Sequence, residues 1–384
     1  MFSQNLQSII LSTVCAASVL LSACNKAQTA LAEENQKENQ VASTVQTAQT
    51  GRPASVNQEP ITIAAVGDIM LGSTFPNETR MPPADGADSL KAVTPILAAA
   101  DIALGNLEGP MLEGGVSEKC GEPKPGQPVR CFAFRVPTRY GAYLKAAGFD
   151  VLSLANNHAG DFGDAGRSST RKILDDLGIK HAGSDRQQFS TAFLDVKGKK
   201  IAFVGFAHNN IVPNVNDLET ARRLVTDAKK KADLVVVSFH GGAEGTDHVH
   251  VPNETEIFFG EARGNLRQFV RTVIDAGADL VLGHGPHVLR GMEIYKNRLA
   301  VYSLGNFATY GWFQLAGATA ESEVLEIKIA ADGKFIGGKI NPVALEGRGI
   351  PVLDKTKSAI ATVRNLSTAD FGASAPHIND DGTF

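Results

Sequence analysis

Five short apolar runs, each followed at once by polar residues, constrain this fold more than any other feature of the sequence. The runs are rich in Val, Ile, Leu and Ala, and they occupy residues 61–66, 102–104, 151–155, 234–239 and 280–282. Short runs of this kind are typical of strands that are buried on both faces. Helical patterns separate several of them, which predicts an α/β fold with mixed sheets flanked by helices.

Two of the helical patterns have clear ends. Residues 137–148 begin with a proline and end with a glycine, and residues 266–277 place large apolar side chains on one face before another glycine. After His287 the pattern changes to alternation of apolar and polar residues, which predicts antiparallel strands. These strands are expected near residues 292–295, 300–304, 324–329 and 335–340.

Each of the five runs leads into residues that can bind a metal ion. In chain order these residues are Asp68, Asn106, Glu108, Asn156, Asn157, His158, His240, Glu244, His284 and His287. Open sheets bind ligands at the carboxyl ends of their strands. Because carboxylate, amide and imidazole groups hold divalent cations, the pattern predicts one shared site at these ends.

A common structural role is the alternative for each residue alone. A single Asp or Asn at a strand end is often a cap or turn residue, and a lone His is often an ordinary hydrogen-bonding group. Joint placement at five strand ends favours a shared site instead. Pro286 places His284 and His287 in a loop rather than on one helix. The alternating pair His248 and His250 is interpreted as a surface feature.

The N-terminal residues indicate export. Residues 9–21 form an apolar run that is too short for a comfortable membrane span, and it leads into the lipobox sequence Leu-Ser-Ala-Cys that ends at Cys24. The pattern predicts a signal peptide over residues 1–23 and a lipid-modified Cys24 that anchors the protein in a membrane, facing the periplasm or the cell exterior. No Lys or Arg precedes Cys24, so an ordinary signal peptide or an uncleaved tail remains an alternative.

Composition divides the remaining chain into three parts. Residues 24–59 contain almost no large apolar side chain, which predicts a disordered tether. Residues 60–350 carry the strand and helix patterns and are expected to form one globular domain. Residues 351–384 form a C-terminal segment that ends in small and polar residues, for which a flexible tail is expected.

The cysteines and the net charge limit which cellular compartment and which kinds of partner are expected. If Cys15 leaves with the signal peptide and Cys24 is acylated, Cys120 and Cys131 remain to form a disulfide. Two free thiols in a reducing compartment are the alternative, which the export signal disfavours. A formal net charge of -4 with no dense basic cluster gives no reason to expect nucleic acid as a partner.

Four sequence blocks resemble the CapA family of bacterial capsule synthesis proteins. They occupy residues 67–68, 105–109, 148–150 leading to 154–158, and 302–307, and the resemblance extends over residues 61–307. The resemblance implies a calcineurin-like metallophosphoesterase fold, which is an α/β sandwich. It also implies a role in the synthesis, retention or export of poly-γ-glutamate or a similar polymer, together with the membrane proteins that make or export it.

The resemblance further implies a site for one or two divalent ions, with Mn, Zn or Fe as candidates. The candidate ligands are Asp68, Glu108, Asn157, His240, His284 and His287. The catalytic candidates are His158 and Glu244, and the candidates for substrate binding are Asn106, Asn156 and Asn306.

The chain departs from the phosphoesterase pattern at four points. Met70 stands where a histidine is usual, Asn106 replaces a bridging acid, Ala159 replaces an acid after the Asn-His pair, and residues 283–287 are one residue longer than Gly-His-x-His. Three interpretations therefore stay open: an assembly factor that binds polymer or a partner, a metal-dependent hydrolase, and a pocket kept as structure. The chain contains neither a Gly-x-Ser-x-Gly elbow nor a P-loop, which disfavours a serine hydrolase or a nucleotide-driven ligase.

Overall fold

The fold is built from sixteen strands and six α-helices in the part of the chain that the computed structural model describes, residues 59–123 and 131–384. The strands are β1 (Ile61–Met70), β2 (Ile102–Leu107), β3 (Val151–Ser153), β4 (Lys180–Ala182), β5 (Thr191–Val196), β6 (Lys199–Ala207), β7 (Leu234–His240), β8 (Glu256–Phe258), β9 (Glu261–Gly264), β10 (Leu280–His284), β11 (Met292–Tyr295), β12 (Arg298–Val301), β13 (Asn306–Thr309), β14 (Glu321–Ile329), β15 (Phe335–Glu346) and β16 (Ile350–Leu353). The helices are α1 (Thr94–Leu97), α2 (Tyr140–Ala146), α3 (Gly163–Asp176), α4 (Leu218–Lys229), α5 (Leu266–Asp275) and α6 (Ser358–Phe371).

These strands form two main sheets and a separate hairpin. The first sheet has the order β16, β15, β14, β1, β2, β3, β4, and β13 also pairs with β1. The second sheet has the order β11, β12, β10, β7, β6, β5, and the hairpin joins β8 to β9. Strands β1 to β4 run parallel, whereas β14, β15 and β16 run antiparallel to their neighbours. In the second sheet, β6, β7, β10 and β12 run parallel, so both sheets are mixed.

The two sheets pack face to face, and helices cover their outer faces. On β1, Ile61, Ile63 and Ala65 join the core between the sheets, while Ala64 and Val66 join the core beneath α1, α2 and α3. Helices α4 and α5 pack on the outer face of the second sheet. Both faces of β1 are buried, which explains why its sequence shows no apolar-polar alternation. The predicted α/β sandwich with mixed sheets and flanking helices is confirmed.

All five predicted strands are present, as are both predicted helices. The pattern over residues 137–148 forms α2, and the pattern over residues 266–277 forms α5. Strand β1 extends beyond the predicted run to Met70, because its last residues pair with β13 and β2. The alternating stretches after His287 form strands too, and most of their pairings are antiparallel as expected.

The C-terminal segment is folded, which corrects the expected flexible tail. Strand β16 extends the first sheet, and Ala359, Ile360 and Val363 of α6 are buried in the core between the sheets. The terminal Phe384 stacks on Phe335 with 5.6 Å between the ring centroids. The expectation failed because a few small apolar residues on one helix face can fill a core, although the overall composition resembles that of a loop.

The structure describes the predicted disulfide but not the residues of the predicted membrane anchor. Cys120 and Cys131 form the predicted disulfide, with their Cα atoms 5.7 Å apart. The predicted signal peptide, the modified Cys24 and the tether up to residue 58 lie outside the described residues. Within the described ranges, no helix is both long enough and apolar enough to cross a bilayer.

Glu323 on β14 is a buried acid that should make stability depend on pH. The residue is 1% exposed, and neither carboxylate oxygen has a hydrogen-bond partner among the described residues. Burial raises the pKa of this carboxyl from 4.5 to about 8. The folded state keeps a proton that the unfolded state releases near its lower pKa. This residue should therefore lower the free energy of unfolding as pH rises through the window between the two values.

We expect Glu323→Met to abolish this loss. Its free energy of unfolding, relative to the wild type, should rise by roughly a few kcal/mol between acidic pH and pH above the raised pKa. Urea unfolding across that range measures the difference, and Glu346→Met, at an exposed position of β15, is the matched control. If the wild type and Glu323→Met give parallel pH profiles, the buried carboxyl does not carry the proposed proton.

Candidate metal centre

The strand register brings the polar strand ends together. In the first sheet, Asp68 lies opposite Asn106 of β2 and Asn306 of β13. In the second sheet, His240 of β7 lies opposite His284 of β10. Parallel strands end at one edge of a sheet, so each sheet presents its polar side chains along a single edge.

Gly67 allows the close backbone approach that places Asp68 at this edge. The Asp68 amide donates to the carbonyl oxygen of Gly305 at 2.9 Å. A Cβ atom at position 67 would overlap the carbonyl oxygens of Leu304 and Gly305. The glycine before the aspartate is therefore required by packing.

Asp68, Glu108 and His287 form a compact buried cluster. One ligand atom from each residue can be chosen so that all three lie within 4.8 Å of one another. His287 Nδ1 is 3.0 Å from Asp68 Oδ2, and His287 Nε2 is 3.8 Å from Glu108 Oε1. His287 has a φ of +58°, an uncommon conformation for a residue other than glycine. Such conformations concentrate at functional sites.

Two histidines of the second sheet complete the cluster. His284 Nδ1 is 3.7 Å from Asp68 Oδ1. His240 Nδ1 is 3.8 Å from the same oxygen, and His240 Nε2 is 3.9 Å from Glu108 Oε1. Five of the six predicted ligands therefore converge, and both sheets contribute to the set.

The unpaired polar atoms of this cluster fit a cation. Both oxygens of Glu108, both ring nitrogens of His284, and Nε2 of His240 are buried without a hydrogen-bond partner among the described residues. Oδ1 of Asn157, the sixth predicted ligand, is in the same state. Burying such atoms unpaired is costly. Carboxylate, imidazole and amide oxygen together suit Mn, Zn or Fe, so the donor set fits the implied metal.

The three asparagines predicted to bind substrate hold the cluster in place. Asn106 Nδ2 donates to Asp68 Oδ1 at 2.8 Å, and Asn156 Nδ2 donates to Asn106 Oδ1 at 3.1 Å. Asn306 Oδ1 lies 3.1 Å from His287 Nδ1, while Asn306 Nδ2 donates to the His287 carbonyl oxygen. All three are buried, which gives them a positioning role; substrate binding by these residues stays a prediction.

His158 lies beside the cluster and is oriented by an acid that the sequence reasoning missed. His158 Nδ1 is 2.7 Å from Asp161 Oδ2, and its ring stacks on Phe134 with 3.8 Å between the centroids. His158 Nε2 is 3.8 Å from Glu108 Oε1. Asp161 therefore provides a carboxylate beside His158, whereas the phosphoesterase pattern has its acid at the position of Ala159. Its place three residues after the histidine, within a turn, was the available signal.

Glu244 is held by an arginine rather than by the cluster. Its Oε1 accepts a hydrogen bond from Arg263 Nη1 at 2.7 Å, and its side chain is 23% exposed. The same guanidinium also pairs with Glu261 at 3.0 Å, so two carboxylates share it at the edge of the site. The predicted role of Glu244 as an orienting group or base remains a prediction.

His208 is a further histidine that the sequence reasoning did not select. It follows β6 directly, and its Nδ1 is 3.3 Å from the carbonyl oxygen of His240. Its ring stacks on that of His240 with 5.9 Å between centroids. His208 directly follows the apolar run of residues 201–207. A polar residue after this sixth apolar run was the feature of the sequence that indicated a further member of the site.

Burial and neighbouring charges shift the pKa values of the cluster residues in different directions. Burial raises the pKa of Asp68, but the close contact with His287 Nδ1 and the positive charges of His287 and His284 lower it by more, so the net shift is downward. Burial lowers the pKa of His287, yet the charges of Glu108 and Asp68 raise it to about 10. Burial raises the pKa of Glu108 to about 8 and lowers that of His284 to about 4. These shifts favour an Asp68–His287 ion pair beside a neutral His284.

Two solved structures match this chain over about three quarters of its length. A 5'-nucleotidase precursor from Thermus thermophilus is 14% identical, with a TM-score of 0.41, over 79% of this chain and 58% of that chain. The purple acid phosphatase PPD1 from yellow lupin seeds is 8% identical, with a TM-score of 0.39, over 76% of this chain and 53% of that chain.

Sequence comparison gives stronger matches. PGA biosynthesis protein CapA of Bacillus subtilis (strain 168) is 31% identical over 344 residues, which cover 83% of this chain and 81% of that protein. Capsule biosynthesis protein CapA of Bacillus anthracis is 29% identical over 321 residues, which cover 78% and 72%. The family model described as bacterial capsule synthesis protein PGA_cap matches residues 62–310, and so the chain belongs to this family of capsule synthesis proteins.

Proposed function

We propose that this protein binds a divalent cation in the buried cluster and acts at the cell envelope in the synthesis, retention or export of a capsule polymer such as poly-γ-glutamate. Family membership supports the process. The observation that carries the metal is the convergence of unpaired buried donors from Glu108, His284 and His240.

Asp68, Glu108, His240, His284 and His287 would hold the ion, with Asn157 as the remaining candidate. A bound divalent cation would supply a Lewis acid that polarises a phosphoryl or carbonyl oxygen. Burial keeps these donors away from water, and the buried asparagines that bond to them fix their positions. Manganese, zinc and iron are the candidates, at one or two ions per chain.

Hydrolysis of a phosphoester or polymer bond is the second candidate, and the orientation of His158 favours it. Burial lowers the pKa of His158 more than the charge of Asp161 raises it, so the imidazole is neutral at pH 7. The bond to Asp161 at Nδ1 leaves Nε2 facing the cluster. A group at that position can exchange a proton with a bound substrate. A binding role without catalysis would need the cluster but not this imidazole.

Polymer output in the producing cells tests the proposal. Asp68→Asn should lower the yield of capsule polymer by roughly tenfold or more at equal protein level, because it removes a charged ligand. Asp175→Asn, which alters an exposed carboxylate paired with His181, is the control. His158→Ala separates the candidates: a yield as low as that of Asp68→Asn indicates catalysis, and an unchanged yield indicates binding. Normal yield from Asp68→Asn would exclude a role for the cluster.

We also propose that Cys24 carries the lipid that anchors the chain. Cys24→Ser should move the protein from the membrane fraction to the soluble fraction, because the acyl chains are then lost. Cell fractionation followed by immunoblotting measures this, and Cys15→Ser is the control because that residue leaves with the signal peptide. Continued sedimentation of Cys24→Ser with membranes would rule out the lipobox.

A further inference from the structure

The hairpin of β8 and β9 ends in a turn whose sequence is unfavourable for its conformation. Its two loop residues, Phe259 and Gly260, both have positive φ, of 48° and 81°. Two-residue turns of this kind favour Asn-Gly or Asp-Gly, because an aromatic side chain is strained at positive φ. Stability alone therefore does not account for phenylalanine at position 259.

The same turn displays apolar surface to solvent. Phe259 is 89% exposed, the highest value for a large hydrophobic side chain in the described ranges, and Ile257 is 60% exposed. The two residues are two positions apart on a strand and its turn. Phe258 lies between them and packs against Phe259, with 4.3 Å between the ring centroids. We call Ile257, Phe258 and Phe259 the apolar tip.

A buried ion pair and hydrogen bonds from backbone amides hold the base of the hairpin against the loop that follows His240. Glu256 Oε2 accepts from the Ala243 amide at 2.9 Å, and Arg290 bonds both oxygens of Glu256. The carbonyl oxygen of Arg263 accepts from the Gly242 amide at 2.9 Å. The apolar tip is thus presented on a fixed base next to the candidate metal centre.

The negative charge around the apolar tip favours a partner with basic residues. Residues 253–264 contain three glutamates and one arginine. Arg290 pairs with Glu256. The buried Arg263 is shared between Glu244 and Glu261, so one negative charge stays uncompensated there. The exposed Glu254 adds another. A bilayer rich in anionic lipid would repel this surface, while a protein recess lined by apolar side chains and rimmed by Lys or Arg would complement it.

We propose that the apolar tip is a docking surface for a protein partner with an apolar recess and a basic rim. Docking would bury Phe259 and Ile257 as central anchors and leave Glu254, together with the Glu261 carboxylate that shares Arg263, to face the basic rim. The partner would then lie beside the loop that carries Glu244. This inference does not depend on whether the cluster binds metal.

Photo-crosslinking from position 259 in the producing cells tests the proposal. The full-length chain with p-benzoylphenylalanine in place of Phe259 should form an adduct with one other protein, at a peptide whose apolar residues are flanked by Lys or Arg. The same crosslinker in place of Ile336, a residue of β15 that is 55% exposed, should give no such adduct. Glu254→Lys should lower the adduct yield by roughly fivefold, and Glu254→Gln should lower it less.

Several results would overturn the docking surface. These are an adduct with phospholipid, with a second copy or residues 1–58 of the same chain, with an acidic peptide, or no adduct at all. The isolated Phe259→Asn variant should melt at the same temperature as the wild type or higher, because Asn tolerates positive φ. A clear fall in its melting temperature would assign Phe259 a packing role instead.

Discussion

Replacing His284 with alanine should lower the bound divalent metal by roughly tenfold or more per chain, because it removes a donor from the centre of the cluster. The His284 side chain is fully buried, and neither ring nitrogen has a hydrogen-bond partner among the described residues. Its Nδ1 lies 3.7 Å from Asp68 Oδ1. The imidazole is therefore available to a cation in a way that a structural histidine is not.

His181→Ala provides the matched control for this prediction. His181 is also largely buried, but its Nε2 pairs with Asp175 at 3.2 Å, on the short strand β4. Elemental analysis of both full-length variants, purified anaerobically with Mn, Zn and Fe supplied, measures the difference. Equal metal content in His284→Ala and His181→Ala would mean that His284 is not a ligand.

The second large effect is expected at Arg290, where methionine should lower the free energy of unfolding by about 3–5 kcal/mol. Arg290 is fully buried and bonds Glu256 through both Nη atoms, at 3.0 and 2.8 Å. It also donates from Nε to the carbonyl oxygen of His248. Methionine would leave the buried carboxylate of Glu256 without its cation, which is the costly way to break such a pair.

Two further variants test this explanation by urea unfolding at pH 7. Arg290→Met combined with Glu256→Gln should recover part of the loss, because the unpaired charge is gone. Lys296→Met, which breaks an exposed pair with Asp275, should cost less than about 1 kcal/mol. If Arg290→Met is no more destabilising than Lys296→Met, the buried pair does not stabilise the base of the hairpin.

Local patterns were sufficient to predict the strands that carry the site. Residues on both faces of β1 and β7 are buried, so each gives a short uninterrupted apolar run that differs from a surface strand or helix. The polar residues after each run then mark the carboxyl ends. This information is local, and it was enough to place Asp68 and His240 in one candidate site.

The division into two sheets depends on pairings between residues far apart in the chain. Asp68 lies opposite Asn306, and β14 pairs with β1, but no local pattern specifies either contact. The runs of both sheets look alike, because each is sandwiched between the shared inner core and a layer of helices. The sequence therefore predicted the members of the site, but not which sheet contributes each one.

Asp161 and His208 were missed for a related reason. The phosphoesterase pattern has an acid at the position of Ala159, whereas in this chain a turn brings the carboxylate of Asp161 to His158. His208 becomes visible only when residues 201–207 are recognised as a strand beside β7. Positions of this kind depend on three-dimensional packing rather than on spacing along the chain.

Anomalous X-ray diffraction from crystals of the protein grown with Mn, Zn or Fe tests the central claim most directly. The buried cluster predicts an anomalous peak, at the absorption edge of the supplied metal, bounded by Asp68, Glu108 and His287. A map with no peak there at saturating metal, or with peaks only at surface carboxylates, would contradict the proposed metal centre.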